Sequence, residues 1–213
     1  MVDNLIPRSA LDGSKPPKPR KKEIKPLTPD QAKTFLQAAR GDRFYALCVL
    51  AIHYGLGQGE LLGLEWDDVD LANGTLQVRC TMSESRVGRI EERPKNERRR
   101  RIDISPSVVE ILATHRETYG SDDLVFPTRN STPVNSSNLL QRSFFPLLNF
   151  CGLPRIRSHH LRHTCATTGF INGQHPKRVS GILGHSSVAI TLDIYSHVIP
   201  GMGDDGDIFE GYC

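Results

Sequence analysis

A chain of 213 residues with 38% hydrophobic residues is long enough to bury one main core. Its formal charge of +3 is modest, and no apolar signal core or run of about eighteen apolar residues occurs, which excludes a standard secretion signal and a membrane-spanning helix. The five cysteines, Cys48, Cys80, Cys151, Cys165 and Cys213, are odd in number and lack paired ligand spacing. They suggest neither a disulfide framework nor a cysteine metal site, so a reducing cytoplasm is the expected compartment.

Residues 1 to about 26 mix Pro7, Pro16, Pro17, Pro19 and Pro26 with Lys15, Lys18, Arg20, Lys21, Lys22 and Lys25, a composition that favours an extended basic linker. Thr28-Pro29-Asp30-Gln31 supplies a cap, a first-turn proline and a capping-box glutamine for a helix to about Arg40. A second helix, capped by Asp42, carries Phe44, Leu47, Cys48, Leu50, Ala51 and Tyr54 at helical spacing and stops at Gly55; a short one follows over Gly59 to Leu64. Thr75 to Cys80 alternates like a strand after the turn Asn73-Gly74, and Arg100 to Ile104 reads as another, with the segments between completing a small antiparallel sheet. Ser105-Pro106 opens the next helix. Further helices are predicted at about 136 to 150, bent or broken at Pro146, and at 159 to 172, 176 to 183 and 187 to 196. The result is an α+β domain, mainly α-helical, with a small antiparallel β-sheet in its N-terminal half.

The chemistry concentrates near the end. Ser158 is placed to cap a helix on which His159 and Arg162 share one face near the positive end, where a phosphate is welcome. For a lone His-x-x-Arg the default reading is a carboxylate partner for Arg162 and carbonyl partners for the histidines. His159 and His163 stand four apart, a spacing open to two metal ligands, but no carboxylate or cysteine completes the set, so no metal is expected. His185 follows the helix stop Leu183-Gly184. Tyr195 shares a helical face with Val188 and Leu192; alone it reads as a core tyrosine, and beside these cations as a hydroxyl able to attack a phosphate in line. The arginine run Arg98, Arg99, Arg100 and Arg101 would attract a polyanion such as a DNA backbone, although a solvated charge run is the default reading of such a composition.

Leu161-Arg162-His163-Thr164, Leu183-Gly184-His185-Ser186 and Thr191-Leu192-Asp193-Ile194-Tyr195-Ser196-His197-Val198, in that order and spacing, resemble the tyrosine recombinase or phage integrase family. Tyr54 to Asp70 is similar to the segment bearing that family's first catalytic arginine, so the likeness runs from about 27 to 200. It implies a catalytic domain that cuts and rejoins DNA through a 3′-phosphotyrosyl bond, without cofactor or metal. In that reading Tyr195 is the nucleophile, Arg162 a phosphate clamp, His159 an acid-base or positioning group, and His185 a donor to the scissile phosphate. Lys95, on the hairpin before the arginine run, matches the lysine that protonates the leaving oxygen, and Glu60 matches an acidic position that orients its neighbours.

Two departures from the pattern shape the expectation. The family calls for arginine after Gly55-Leu56, and this chain has Gly57. Removing one clamping cation costs on the order of 3 kcal/mol, at least about a hundredfold in rate. Cleavage is therefore expected to be impaired, with a DNA-binding or regulatory relative that does not cut as the alternative, and a nicking, topoisomerase-like relative ranked below it. Residues 1–26 are expected to be the linker to an absent DNA-clamping domain, 27–200 the catalytic domain and 201–213 a short tail. The expected partner is double-stranded DNA in a prokaryotic cytoplasm, with self-association on DNA in the full-length family member and no membrane.

Overall fold

Thr28 starts the first helix as its sequence dictates. Its side chain accepts from Gln31 N, and the Gln31 side chain accepts in return from Thr28 N at 3.0 Å. The computed structural model describes residues 26–79, 81–85, 88–92, 100–119 and 123–199, with the backbone alone for 81–85 and 88–92. α1 (Pro29–Ala39) is followed by α2 (Tyr45–Tyr54), whose run of buried residues from Ala46 to Ala51 makes it the central helix of the core. Asp42 does not cap α2 directly. Its carboxylate accepts from Phe44 N at 2.7 Å, forming a turn that delays the helix to Tyr45. Gly55 then ends α2 in the left-handed region at φ 63°.

α3 (Gln58–Leu62) leads through a short turn to a three-stranded antiparallel sheet of β1 (Val69–Asp70), β2 (Thr75–Val78) and β5 (Arg100–Asp103), in the order β1-β2-β5. Leu76 stands opposite Ile102, and Val78 opposite Arg100. Between β2 and β5 the chain forms a separate hairpin, β3 (Thr81–Ser85) with β4 (Gly88–Glu92), and β3 lies against α3. The expected single sheet is thus two pieces, a sheet in the core and a hairpin beside it.

α4 (Pro106–Tyr119) packs on α2. The predicted helix over 136 to 150 is real but interrupted: α5 (Ser136–Leu139) passes through a π-helical turn over Leu140–Phe144 into α6 (Phe145–Phe150), with Pro146 in the first turn of α6. A proline there lacks the N–H that would continue the preceding helical register, and the wider turn absorbs the break. α7 (His159–Ile171), α8 (Pro176–Leu183) and α9 (Val188–Tyr195) close the domain.

Two apolar clusters result. The larger holds Phe35, Leu50, Leu76, Leu112 and Phe126 among α1 to α6 and the sheet; the smaller holds Ala166, Phe170, Val179, Leu183 and Tyr195 among α7 to α9. Thr164 joins α7 to the start of the domain, because its hydroxyl accepts from Leu27 N at 3.0 Å and donates to His160 O. The fold is mainly helical with a small antiparallel sheet, as its sequence implies. Among the described residues no helix is long and apolar enough to cross a membrane.

Candidate active site

α7 carries the site's first two groups because Ser158 fixes where it begins. Ser158 does not cap with its side chain; its hydroxyl donates to Gln58 Oε1 at 2.9 Å, tying the start of α7 to α3. Gln58 is thereby engaged in joining helices, with its amide also near Ser136 O at 3.5 Å. From this anchored start, Arg162 points inward and is held by main-chain oxygens: Nη1 donates to Gly55 O at 2.9 Å and Nη2 to Leu183 O. The left-handed bends at Gly55 and Gly184 bring both carbonyls within reach.

Glu60 and Arg100 complete a three-member ion cluster. Arg100 Nη1 and Nη2 donate to the two Glu60 oxygens at 2.6 and 2.8 Å, Arg100 Nε donates to Ile182 O at 2.9 Å, and Arg162 Nη1 stands 3.7 Å from Glu60. Burial works to raise the Glu60 carboxyl, but hydrogen bonds and charge from Arg100, the Gly57 N–H and the charge of Arg162 outweigh it, so Glu60 sits below the usual carboxylate range. Such a fork-to-fork pair fixes both partners in plane. The main chain of Gly184 gives Arg100 its room: a Cβ there would lie 2.8 Å from Arg100 Nη1.

The hydroxyl side is assembled by the last helices. Tyr195 is 3% exposed, and its Oη lies 2.5 Å from His163 Nδ1. The His163 ring meets His159 edge-on at 4.7 Å between centroids, and Phe170 flanks the Tyr195 ring. His185 Nδ1 pairs with the Thr191 hydroxyl at 2.8 Å. Burial, assisted by neighbouring positive charge, pushes the imidazoles of His163 and His185 down to about 4, and lowers His159 as well. Burial also pushes the Tyr195 phenol up to about 12, although Arg162 pulls it the other way. Cations crowded together with neutral imidazoles, with no compensating anion beyond Glu60 among the described residues, form a place prepared for negative charge.

The structure therefore brings together Arg162, His159, His185, Tyr195 and Glu60 from the residues expected in the site. Lys95, Arg98 and Arg99 lie outside the described residues. Arg100, expected on the DNA-facing surface, instead turns into the ion cluster, while Arg101 stays exposed beside Asp103. Strand alternation carried that signal, since Arg100 shares a face with buried Ile102. His163 is the residue sequence reasoning did not assign; its place four residues after His159, on the same helical face, was the available clue. Among the described residues, no three His, Cys, Asp or Glu side chains gather as a metal site.

Gly57 begins α3 with φ −70° and ψ 155°, ordinary extended backbone open to any residue. The nearest atom to a Cβ at this position would be a Glu60 carboxylate oxygen, at 3.4 Å. Glycine is not required here by the fold, and a side chain starting at this point leaves beside the ion cluster. Cys165, close to the cluster, has its thiol pushed up to about 12 by burial and directed at His53 O. It is a packed neighbour without nucleophilic character.

Comparison with known proteins gives one consistent answer. Residues 25–201 match the phage integrase family. A tyrosine recombinase XerC-like protein of Caldanaerobacter subterraneus subsp. tengcongensis is 35% identical over 202 residues, covering 84% of this chain and 51% of the relative. The Tn1549 transposon integrase (aa 82-397) in complex with circular intermediate DNA superimposes with TM-score 0.73 at 26% identity, covering 83% of this chain and 64% of that one. The XerA recombinase does so with TM-score 0.67 at 28% identity over 88% of this chain and 64% of that one. The chain spans about half the length of the relatives it matches by sequence.

Proposed function

The chain belongs to the phage integrase family of tyrosine recombinases, and from that premise we propose that residues 27–200 form a catalytic domain that cuts and rejoins double-stranded DNA. The observation that carries this reading is the clustering of Tyr195 with Arg162, His159 and His185, a group of net positive character. The Tyr195 oxygen attacks a backbone phosphorus, the bond to the 5′ oxygen breaks, and a 3′-phosphotyrosyl link retains the bond energy for rejoining. Arg162, its plane fixed by Gly55 O and Leu183 O, directs its remaining N–H groups at non-bridging oxygens. His159 and His185 position the phosphate, Glu60 keeps the guanidinium groups in place, and Lys95 protonates the departing 5′ oxygen. Arg98, Arg99 and Arg101 contact the DNA backbone, residues 1–26 link to a DNA-clamping domain and 201–213 form a tail. Relatives described as transposon integrases and recombinases favour the DNA of a mobile element as substrate, with self-association of the whole protein on that DNA.

Cleavage is impaired in this proposal because position 57 brings no cation to the site. Arg100 does not stand in freely, since Nε, Nη1 and Nη2 are all committed to Ile182 O and Glu60. The same feature favours the second reading, a DNA-binding relative that does not cut. A pool of nicked duplexes with randomised flanks separates the two: the native chain, Gly57→Arg and Tyr195→Phe are incubated with it and run on denaturing protein gels. Adduct that rises strongly in Gly57→Arg and vanishes in Tyr195→Phe supports the disarmed recombinase. Salt-sensitive binding with no adduct from any version supports the second reading.

A further inference from the structure

We propose that His163 takes the proton from the Tyr195 hydroxyl as that oxygen attacks phosphorus, which makes His163, and not His159, the base of the cleavage step. This deepens the recombinase reading above and rests on it. The geometry is direct: Tyr195 Oη and His163 Nδ1 form a hydrogen bond at 2.5 Å, shorter than an ordinary one, and both groups are buried. No other side chain pairs with the Tyr195 hydroxyl among the described residues. His185 is turned to Thr191, and His159 offers His163 the edge contact at 4.7 Å.

The balance of the step is simple. The Tyr195 O–H bond breaks and its proton passes to His163 Nδ1; the O–P bond forms while the P–O5′ bond breaks, and the 5′ oxygen receives a proton from the opposite side of the phosphate. In reversal, His163 returns its proton to the tyrosine oxygen. Before DNA arrives the phenol keeps its proton and the imidazole is neutral, as burial raises the one and lowers the other. Positive charge on Arg162, and on neighbouring imidazoles when they are protonated, adds to the depression of His163. A phosphate entering among them neutralises that charge and raises the affinity of Nδ1 for a proton when the proton must move. The nucleophile is thus kept dormant until its substrate is in place.

The arrangement requires His163 to carry its own hydrogen on Nε2 and accept at Nδ1. In the native chain without DNA, the nitrogen-15 NMR signal of His163 Nδ1 is expected to show an acceptor nitrogen that shifts on Tyr195→Phe; a protonated Nδ1 overturns the proposal and leaves the recombinase reading intact. Cleavage is then compared in the Gly57→Arg background on nicked duplexes, with and without sulfur at the bridging 5′ position, which needs no proton to leave. His163→Asn, which retains an acceptor but takes no proton, is expected to slow adduct formation by about 10² to 10⁴-fold on both substrates. Restoration of the rate by sulfur places His163 on the leaving-group side and overturns the proposal. So does an undiminished or faster rate, which makes His163 at most a latch. His163→Gln is measured alongside, with a melting curve for each, so that loss of fold is seen as such. Adduct absent from every version removes the recombinase reading and this base with it, whatever the NMR result.

Discussion

Arg100, Glu60 and Arg162 reach the site from β5, α3 and α7, far apart in the chain, whereas His163, His185 and Tyr195 all lie between α7 and α9. The first group is permanently charged, its two cations only half offset by one carboxylate, and it is locked by the carbonyls of Gly55, Ile182 and Leu183. The second group is held uncharged by burial and linked by single hydrogen bonds between side chains. Clamping a phosphate needs rigid cations that do not titrate; supplying a nucleophile needs groups whose protonation changes on cue. On the proposed reading, the rigid task falls to long-range main-chain contacts and the responsive task to a local helical cluster.

That comparison breaks most completely at its centre. Tyr195→Phe is expected to abolish covalent adduct while DNA binding in a gel-shift assay stays near the native level, since only the hydroxyl is lost. Arg162→Ala, in the Gly57→Arg background, is expected to reduce adduct formation by about a thousandfold, the scale of removing a clamp from a water-poor site; retention of more than a tenth of the rate would show that Arg162 serves packing alone. Gly57→Arg is expected to raise the native rate on the order of a hundredfold, and an unchanged rate would clear Gly57 of the impairment.

Stability sharpens the contrast between the two groups. Glu60→Gln leaves Arg100 and Arg162 facing each other without their carboxylate and should cost about 3 kcal/mol, read as a lowered urea midpoint. Because the folded Glu60 carboxyl lies below its ordinary value, its contribution is present at neutral pH and disappears as pH falls through that lowered value. The histidines act in a different window. His163 and His185 at about 4, against 6.5 for a free imidazole, mean that the unfolded chain binds more protons between those values, so stability falls as pH drops from 6.5 towards 4. His185→Gln should flatten that slope, and an unchanged slope would show that His185 is protonated alike in both states. The smallest effect belongs to Gly184→Ala: φ 69° and the crowding of Arg100 make it destabilising by about 1 to 2 kcal/mol.

Much of this was legible in order and spacing. The capping box at Thr28, the stop at Gly55 and the helices from α7 to α9 follow from local chemistry, and the motif residues Arg162, His159, His185 and Tyr195 lie near one another in the fold. What escaped depended on which partner wins a side chain in three dimensions. Asp42 and Ser158 are good caps by type, yet each spends its oxygen elsewhere, on Phe44 N and on Gln58. Arg100 was hidden in a run of four arginines, where composition speaks for solvent and only the alternation with Ile102 speaks for the interior. His163 was visible but silent, because its assignment rests on the last turn of α9 folding back over α7.

The ordinary backbone of Gly57 has a hereditary consequence. Every glycine codon lies a single base from an arginine codon, and neither the dihedral angles nor the space for a Cβ at this position resists the exchange. A protein that lost activity through a core collapse or a strained turn would need several coordinated changes to regain it. On the proposed reading the scaffold, Arg162 and Tyr195 stand in place around one missing side chain, so silence of this kind is a reversible state of a lineage, open to reawakening by one mutation.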